Sequence, residues 1–90
     1  MNFDEAVIKS KTITQKPSNE ILLSLYSLYK QVMNGDAPEE ESYNMFDFVS
    51  KAKHEAWLKL KGMSTEKAKE DYINLVESLL DKGLTKKEEK

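Results

Sequence analysis

The segment NEILLSLYSLYKQVMN, at positions 19–34, predicts an amphipathic helix, because its apolar residues recur at helical spacing. Ser18 and Asn19 are both good N-cap residues, so the helix is expected to open near one of them. It is expected to end at Asn34 and Gly35. Its apolar residues are Ile21, Leu22, Leu25, Tyr26, Leu28, Tyr29, Val32 and Met33. They cover a wider arc than one packing face requires, which predicts that more than one neighbour covers this helix.

The residues on either side of this segment predict a shorter helix and two connections. Asn2 and Glu5 have the spacing of a capping box, so a first helix is expected to start at Asn2. Residues 12–17 place β-branched residues before a proline, which predicts a connection between the first two helices. Residues 36–44 contain Pro38 and three consecutive glutamates, which predicts a loop after the second helix.

Two further helices are predicted after that loop. The third starts between Asp47 and Ser50 and stops at Gly62, and Ser64 caps the fourth. No segment shows the sustained alternation of a strand. The predicted fold class is therefore all-α, with one four-helix domain over residues 1–83. A charged C-terminal tail, residues 84–90, is expected to be disordered.

Length and composition restrict the class of protein. Ninety residues with 39% hydrophobic side chains fit one small domain with a modest core. The chain has no cysteine, which excludes a disulfide framework, a thiolate nucleophile and a cysteine metal site. Neither a signal peptide nor the roughly 20 apolar residues of a membrane span can be recognised. The expectation is a cytoplasmic protein without stable membrane insertion.

The net charge and the type of basic residue indicate which ligands are expected. The net charge is -2, whereas nucleic-acid binders usually carry a strongly basic face, so nucleic acid is not an expected partner. A local cluster could still hold one small polyanion. All fourteen basic residues are lysines, so a phosphate site here would use ammonium groups instead of the bidentate fork of arginine.

The residues give little support to an enzyme. His54 is the only histidine; it has no recognisable catalytic partner and is expected to be a half-exposed helix residue. The glutamates at 39–41 are expected to form a solvated, self-repelling loop, since catalytic carboxylates must converge in a pocket. No phosphate-binding glycine loop or metal-ligand spacing is present. Neither a catalytic residue nor a bound metal or cofactor is predicted.

A pattern of lysines and aromatic residues joins the second and third helices. Tyr26 and Lys30 are four residues apart and share a helix face, with Tyr29 adjoining it, and Lys53 and Trp57 have the same spacing. Lysines beside aromatic rings can hold a phosphate while a tyrosine offers a stacking surface or a hydroxyl, and a nucleotide needs both. The alternative is that the tyrosines belong to the core and the lysines are solvated. The pattern alone leaves both interpretations open.

Two segments carry a resemblance to a known family. Residues 29–36 (YKQVMNGD) and 51–57 (KAKHEAW) resemble the two signature stretches of the acyl-CoA-binding protein family. The likeness also includes Lys16 and Pro17 before the second helix and residues 62–64 (GMS) before the fourth. It spans nearly the whole chain in one order and spacing, apart from one extra residue in the acidic loop.

The resemblance implies an up-down-down-up four-helix bundle of the acyl-CoA-binding protein type. Such a protein is a monomer that binds medium- to long-chain acyl-CoA, for example palmitoyl-CoA, and serves as an intracellular pool and transporter. The implied ligand-binding residues are Lys11, Tyr26, Tyr29, Lys30, Lys53 and Tyr72, and the acyl chain is expected along Ile21, Leu22 and Leu25.

The resemblance also implies which part of the ligand each of these side chains contacts. Lys30 and Lys53 would contact the 3′-phosphate of the CoA ribose, helped by the Tyr26 hydroxyl. Tyr29 would line the adenine pocket. The remaining two, Tyr72 and Lys11, would contact the head group and the mouth of the acyl groove.

Several positions depart from the family's pattern. The family often has a lysine at a position that is here part of the pair Val49 and Ser50. His54 replaces a residue that is often aromatic and close to the ligand. Val32 and Met33 replace the usual alanine and threonine. The alternative function is a helical protein-interaction module, in which the apolar face of the second helix receives a partner helix.

Overall fold

The computed structural model describes residues 1–40, 44 and 46–81. Across these residues the chain forms the helices α1 (Phe3–Ser10), α2 (Asn19–Asn34), α3 (Phe48–Leu58) and α4 (Thr65–Leu79), without a strand. The prediction of an all-α chain is confirmed. The predicted domain boundary at residue 83 and the tail at residues 84–90 lie outside the described residues, so they stay predictions.

Side-chain caps begin the helices at the positions that the sequence predicts. The Asn2 side chain accepts a hydrogen bond from the Glu5 N–H at 2.8 Å, and the Asn2 N–H donates to Glu5 Oε1 at 2.9 Å, which completes the capping box. The other caps, each accepting a backbone N–H in the first turn, are Ser18, Asp47 and Ser64. Gly35 ends α2 with a φ of 78°, a conformation that favours glycine.

The end of α3 differs from the prediction, which extended this helix to Gly62. The helix ends at Leu58, and the following residues form i to i−3 hydrogen bonds up to Met63. Gly62 has a φ of 88°, and its N–H donates to Asp36 Oδ1 at 2.9 Å. The tighter turn brings this segment back to the end of α2, a tertiary contact that periodicity along the chain does not reveal.

The helix α2 lies against both α3 and α4, and α1 packs on α4. This arrangement confirms that more than one element covers the wide apolar arc of α2. The Trp57 indole donates to the Gly35 carbonyl, so the C-terminal ends of α2 and α3 meet and the two helices run parallel. The Gln31 side chain donates to the Met63 carbonyl, so α4 begins beside the end of α2 and runs the opposite way.

The core lies where α1, α2 and α4 meet. Its buried residues are Phe3, Ala6, Leu28, Ala68, Tyr72 and Val76. The Phe3 and Tyr72 rings pack edge to face, with their centroids 5.0 Å apart. This cluster leaves the surface of α2 that faces α3 outside the main core.

We expect Leu28→Ala to lower the free energy of unfolding by about 2–5 kcal/mol, because it removes a buried side chain and leaves a cavity. Met33→Ala is the matched control, since Met33 lies on the same helix with 58% of its surface exposed. That variant should change the free energy by no more than about 0.5 kcal/mol. Urea denaturation measures both, and equal losses would contradict the assignment of Leu28 to the core.

Candidate functional site

One lysine of α2 and one lysine of α3 each lie over an aromatic ring of the other helix. The Lys30 ammonium of α2 lies 4.9 Å from the centroid of the Trp57 ring of α3. The Lys53 ammonium of α3 lies 5.2 Å from the centroid of the Tyr26 ring of α2. Both distances are within the range of cation–π attraction. The structure thus brings together the four residues that the spacing pattern singled out, and we call them the crossed quartet.

The two ammonium groups of the quartet lie over aromatic rings. In the part of the chain that the structure describes, the salt bridges are formed by the N-terminus, Lys61 and Lys67, and neither Lys30 nor Lys53 takes part in one. Lys30 is half-buried and Lys53 is exposed. Two such ammonium groups on facing helices attract an anion even though the chain has a net charge of -2. A phosphate could accept hydrogen bonds from both.

A cleft of about 360 Å³ opens where α1 and the connection after it face α2. We call it the α1–α2 cleft. Its polar lining includes four of the expected ligand-binding residues, namely Lys11, Tyr26, Tyr29 and Tyr72. Leu22 and Leu25 form part of its apolar wall, whereas Ile21 is half-buried and does not line it. The cleft adjoins the quartet, because Tyr26 belongs to both.

The two tyrosines of the cleft that lie outside the quartet differ in burial. Tyr72 is 4% exposed, and its hydroxyl donates to Ser10 Oγ at 3.4 Å. Its ring therefore serves the core while its hydroxyl reaches the cleft. Tyr29 is 38% exposed, and its ring stacks on that of Phe3 with centroids 6.1 Å apart and planes inclined by 25°. Tyr29 is thus held in place and still offers ring surface to a ligand.

A second groove, of about 380 Å³, runs between α2 and the N-terminal half of α3. Its lining consists of Asn19, Leu22, Leu23, Phe48, Val49, Ala52 and Lys53. We call it the α2–α3 groove. The sequence predicted Leu22 and Lys53 as ligand-site residues and identified Val49 as a departure from the family's pattern, whereas the other lining residues were not predicted. The spacing of Phe48, Val49 and Ala52, three and four residues apart, is the signal that could have identified the wall on α3.

The structure corrects the prediction for His54. This residue is buried, with 4% of its surface exposed, instead of half-exposed. Its Nε2 lies 2.7 Å from the Pro38 carbonyl oxygen, so the loop after α2 covers this face of α3. The hydrogen bond spans sixteen positions of the chain, and helical spacing within α3 gives no sign of it.

The other departures from the family's pattern lie in different surroundings. Val49 is 65% exposed and lines the α2–α3 groove, so its change of chemistry falls at the candidate site. Val32 is half-buried and packs against the core cluster. Met33 is 58% exposed. Among the three, only Val49 lines one of the two grooves just described.

A group of hydrogen bonds, of which the one between Trp57 and Gln31 is buried, ties the C-terminal ends of α2 and α3 to each other. The Trp57 Nε1–H donates to Gln31 Oε1 at 3.1 Å and to the Gly35 carbonyl at 2.9 Å. The Gln31 Nε2 donates to Asp36 Oδ1 at 2.8 Å and to the Met63 carbonyl at 3.1 Å. We call these hydrogen bonds, together with the one from the Gly62 N–H to Asp36, the polar junction. It fixes the end of the site at which Lys30 and Trp57 lie.

The polar junction changes the acidity of one carboxyl group. The Gly62 N–H and the Gln31 side chain, in that order of effect, hold the pKa of Asp36 below its usual value. A carboxyl with a lowered pKa stabilises the fold most when it is charged in both states, above the pKa of the unfolded chain. This stabilisation is lost as the pH falls through the pKa of the folded protein.

We therefore expect Asp36→Asn to lower the stability at neutral pH and the difference from wild type to shrink in acid. The difference should be constant down to about pH 5 and decrease below the unfolded-state pKa of about 3.9. Urea denaturation at a series of pH values from neutral to about 3 measures it. A difference that stays the same over this range would contradict a charged role for Asp36.

Comparisons with known proteins agree with this fold. The family model "Acyl CoA binding protein" matches residues 1–76. The acyl-CoA-binding protein of Dictyostelium discoideum is 49% identical over 80 residues, which cover 89% of this chain and 94% of the relative. Acyl-CoA-binding protein homolog 1 of Caenorhabditis elegans is 42% identical over 82 residues, which cover 91% of this chain and 94% of the relative.

A solved structure gives the same result for the fold. The crystal structure of Oryza sativa Acyl-CoA-Binding Protein 2 matches with a TM-score of 0.83 and 35% identity, covering 96% of this chain and 94% of that chain. Fold and site define a small all-helical protein with lysines and aromatic rings beside apolar grooves. The chain belongs to the acyl-CoA-binding protein family, and the predicted fold class is confirmed.

One relative is named as an enzyme. Enoyl-CoA delta isomerase 2 of Rattus norvegicus is 40% identical over 78 residues, but these cover only 20% of that protein. The likeness is therefore to one part of a longer chain. Across the described residues here, no group of three acidic, histidine or cysteine side chains could hold a metal. None of the described helices is both long enough and apolar enough to cross a membrane.

Proposed function

We propose that this protein binds acyl-CoA thioesters without reacting with them and serves as a pool and carrier of these esters. The observation that carries the proposal is the crossed quartet, in which two ammonium groups lie over aromatic rings, Tyr26 also lines the α1–α2 cleft and Lys53 also lines the apolar α2–α3 groove. An acyl-CoA has parts that suit these features, namely an aromatic base, phosphates and an apolar chain. Relatives that match over most of their length carry the name of this ligand.

The head group fits the polar side of the site. Lys30 and Lys53 would contact the 3′-phosphate, with the Tyr26 hydroxyl within reach of the same group. Tyr29 would stack on the adenine, because its ring is held by Phe3 and remains partly exposed. Lys11 and Tyr72, which line the same cleft, would contact the rest of the head group.

The acyl chain has two candidate walls on α2. The resemblance implied Ile21, Leu22 and Leu25, of which the last two line the α1–α2 cleft. The α2–α3 groove suits an apolar chain better, since its wall is almost entirely apolar and Lys53 lies at its edge. We therefore propose that the chain enters this groove, with Leu22 shared between the two spaces. Burial of about 0.8 kcal/mol per CH₂ would favour medium and long chains, for example palmitoyl-CoA.

We also propose that the protein is not an enzyme, that it is a monomer and that it is cytoplasmic. A non-enzymatic role is supported by the position of the only histidine, which is buried against the Pro38 carbonyl and outside the linings of both grooves. The monomeric state is proposed from the family resemblance, and the cytoplasmic location from the composition of the chain. The alternative, a docking site for a partner helix on α2, has less support because α3 and α4 already pack on that helix.

Calorimetric titration with palmitoyl-CoA, free CoA and free palmitate tests this proposal. We expect one-to-one binding of the thioester and much weaker binding of either fragment, since each fragment lacks half of the contacts. Lys30→Ala and Lys53→Ala should each weaken binding by about 10- to 150-fold, because a hydrogen bond to a charged group contributes about 1.5–3 kcal/mol.

Lys59→Ala is the matched control for these variants. Lys59 is an exposed lysine at the end of α3 and lines neither the cleft nor the groove that would hold the ligand, so its loss should leave the affinity within about twofold. Equal effects of all three substitutions would show a general charge effect instead of a site. No binding of palmitoyl-CoA by the wild-type protein would overturn the proposal.

The route of the acyl chain gives a separate prediction. Ala52 is half-buried in the wall of the α2–α3 groove, so Ala52→Phe should fill the groove and weaken palmitoyl-CoA binding by at least about tenfold, which equals the burial of two CH₂ groups. Binding of free CoA should not change. Ser78→Phe, at an exposed position on α4, is the control for added bulk. Unchanged palmitoyl-CoA binding in Ala52→Phe would place the chain in the α1–α2 cleft.

A further inference from the structure

The indole of Trp57 is held by hydrogen bonds as well as by packing. Only 5% of its surface is exposed. Its single donor, Nε1–H, is shared between the Gln31 side chain and the Gly35 carbonyl, both at the end of α2. A ring that only filled space could rotate or slide within its pocket. Two acceptors on one N–H restrict both motions, because they define the direction of that bond.

The Gln31 amide has only one orientation that satisfies its neighbours. It is 1% exposed, so each of its polar atoms needs a protein partner. Asp36 Oδ1 and the Met63 carbonyl are both acceptors, so the NH₂ group must face them. This leaves Oε1 to accept from the indole. Exchanging the oxygen and nitrogen of the amide would place acceptor against acceptor and donor against donor.

The partners of the amide are themselves fixed. Asp36 Oδ1 also accepts from the Gly62 N–H, which belongs to the turn between α3 and α4. The plane of the indole is therefore set by the end of α2, the loop after it and the turn before α4. This restraint falls on the ring that lies under a site lysine.

The fixed position of the indole limits where the Lys30 ammonium lies. A lysine side chain loses considerable rotamer entropy when it is held in one place. The face of the Trp57 ring attracts the Lys30 ammonium at 4.9 Å and thereby selects among those rotamers. We infer that Trp57, oriented by the polar junction, is a positioning residue that holds Lys30 ready for the 3′-phosphate of the ligand. The inference rests on the proposed function and adds to it the residues that set recognition of this phosphate.

The second lysine supplies an internal comparison. Lys53 lies over Tyr26, a ring that belongs to α2 and is not part of the polar junction. Loosening the junction should therefore act through Lys30 and leave the contribution of Lys53 intact. In a double-mutant cycle, loss of the indole hydrogen bonds should be strongly non-additive with Lys30→Ala and nearly additive with Lys53→Ala.

Trp57→Phe is the main test, because it keeps an aromatic ring and removes the Nε1–H donor. Its affinity is measured by calorimetry for palmitoyl-CoA and for palmitoyl-dephospho-CoA, which lacks the 3′-phosphate. We expect palmitoyl-CoA binding to weaken by about 2- to 10-fold, the scale of ordering one flexible side chain. Binding of the dephospho ligand should stay within about twofold, so the preference for the 3′-phosphate should fall.

Two further variants keep this test decisive if Trp57→Phe loses stability. Gln31→Met preserves the length of the side chain, removes its amide, and should lower the same preference. Leu28→Ala is the control for instability, since it opens a cavity in the core and Leu28 forms none of the hydrogen bonds of the polar junction. That variant should retain the wild-type ratio of the two affinities. All titrations are made at a temperature at which circular dichroism shows the variants to be folded.

The outcomes separate this inference from the proposed function. If wild-type protein prefers palmitoyl-CoA and Trp57→Phe weakens both ligands equally, or neither, Trp57 has only a structural role and the inference is overturned. An additive cycle with Lys30→Ala would overturn it as well. If wild-type protein does not bind palmitoyl-CoA at all, the proposed function fails and the inference fails with it.

Discussion

The hydrogen bonds of one buried amide, that of Gln31, hold together the parts of the chain on which the site depends. They connect α2 to the indole of α3, to the loop after α2 and to the turn before α4. The C-terminal ends of α2 and α3, which run parallel, are thereby held together. At this end Lys30 lies over Trp57, and one helical turn earlier Lys53 lies over Tyr26.

The packing of α2 on α3 places one lysine of each helix over an aromatic ring of the other. Within the described residues, neither of these lysines forms a salt bridge. The difference matters for binding, because a salt bridge would have to break before a phosphate could bind, whereas a ring can keep its ammonium while the remaining N–H donors point elsewhere. Both lysines can thus attract an anion in a chain whose net charge is -2.

Local rules predict much of this structure, and tertiary contacts account for the rest. The caps at Asn2, Ser18 and Ser64 are found where short-range hydrogen bonding places them. Spacing within α2 and within α3 identified every member of the crossed quartet, because i, i+4 neighbours are fixed by the helix itself. The burial of His54 and the early end of α3 were missed, since both depend on contacts with the loop after α2. The α2–α3 groove was missed for a different reason, because its walls come from two helices whose packing the spacing within each helix does not reveal.

The division of the site into a fixed polar end and an open apolar groove follows from what each part must distinguish. Recognition of a phosphate depends on direction, so its donors gain from a rigid frame such as the polar junction. Recognition of an alkyl chain depends on buried area and hardly on direction, so a shallow groove with exposed Phe48 and Val49 is sufficient. A carrier that binds through both parts can be specific for the head group and tolerant of chain length. Because the core of a 90-residue chain is small, binding to the folded form would also stabilise the whole domain.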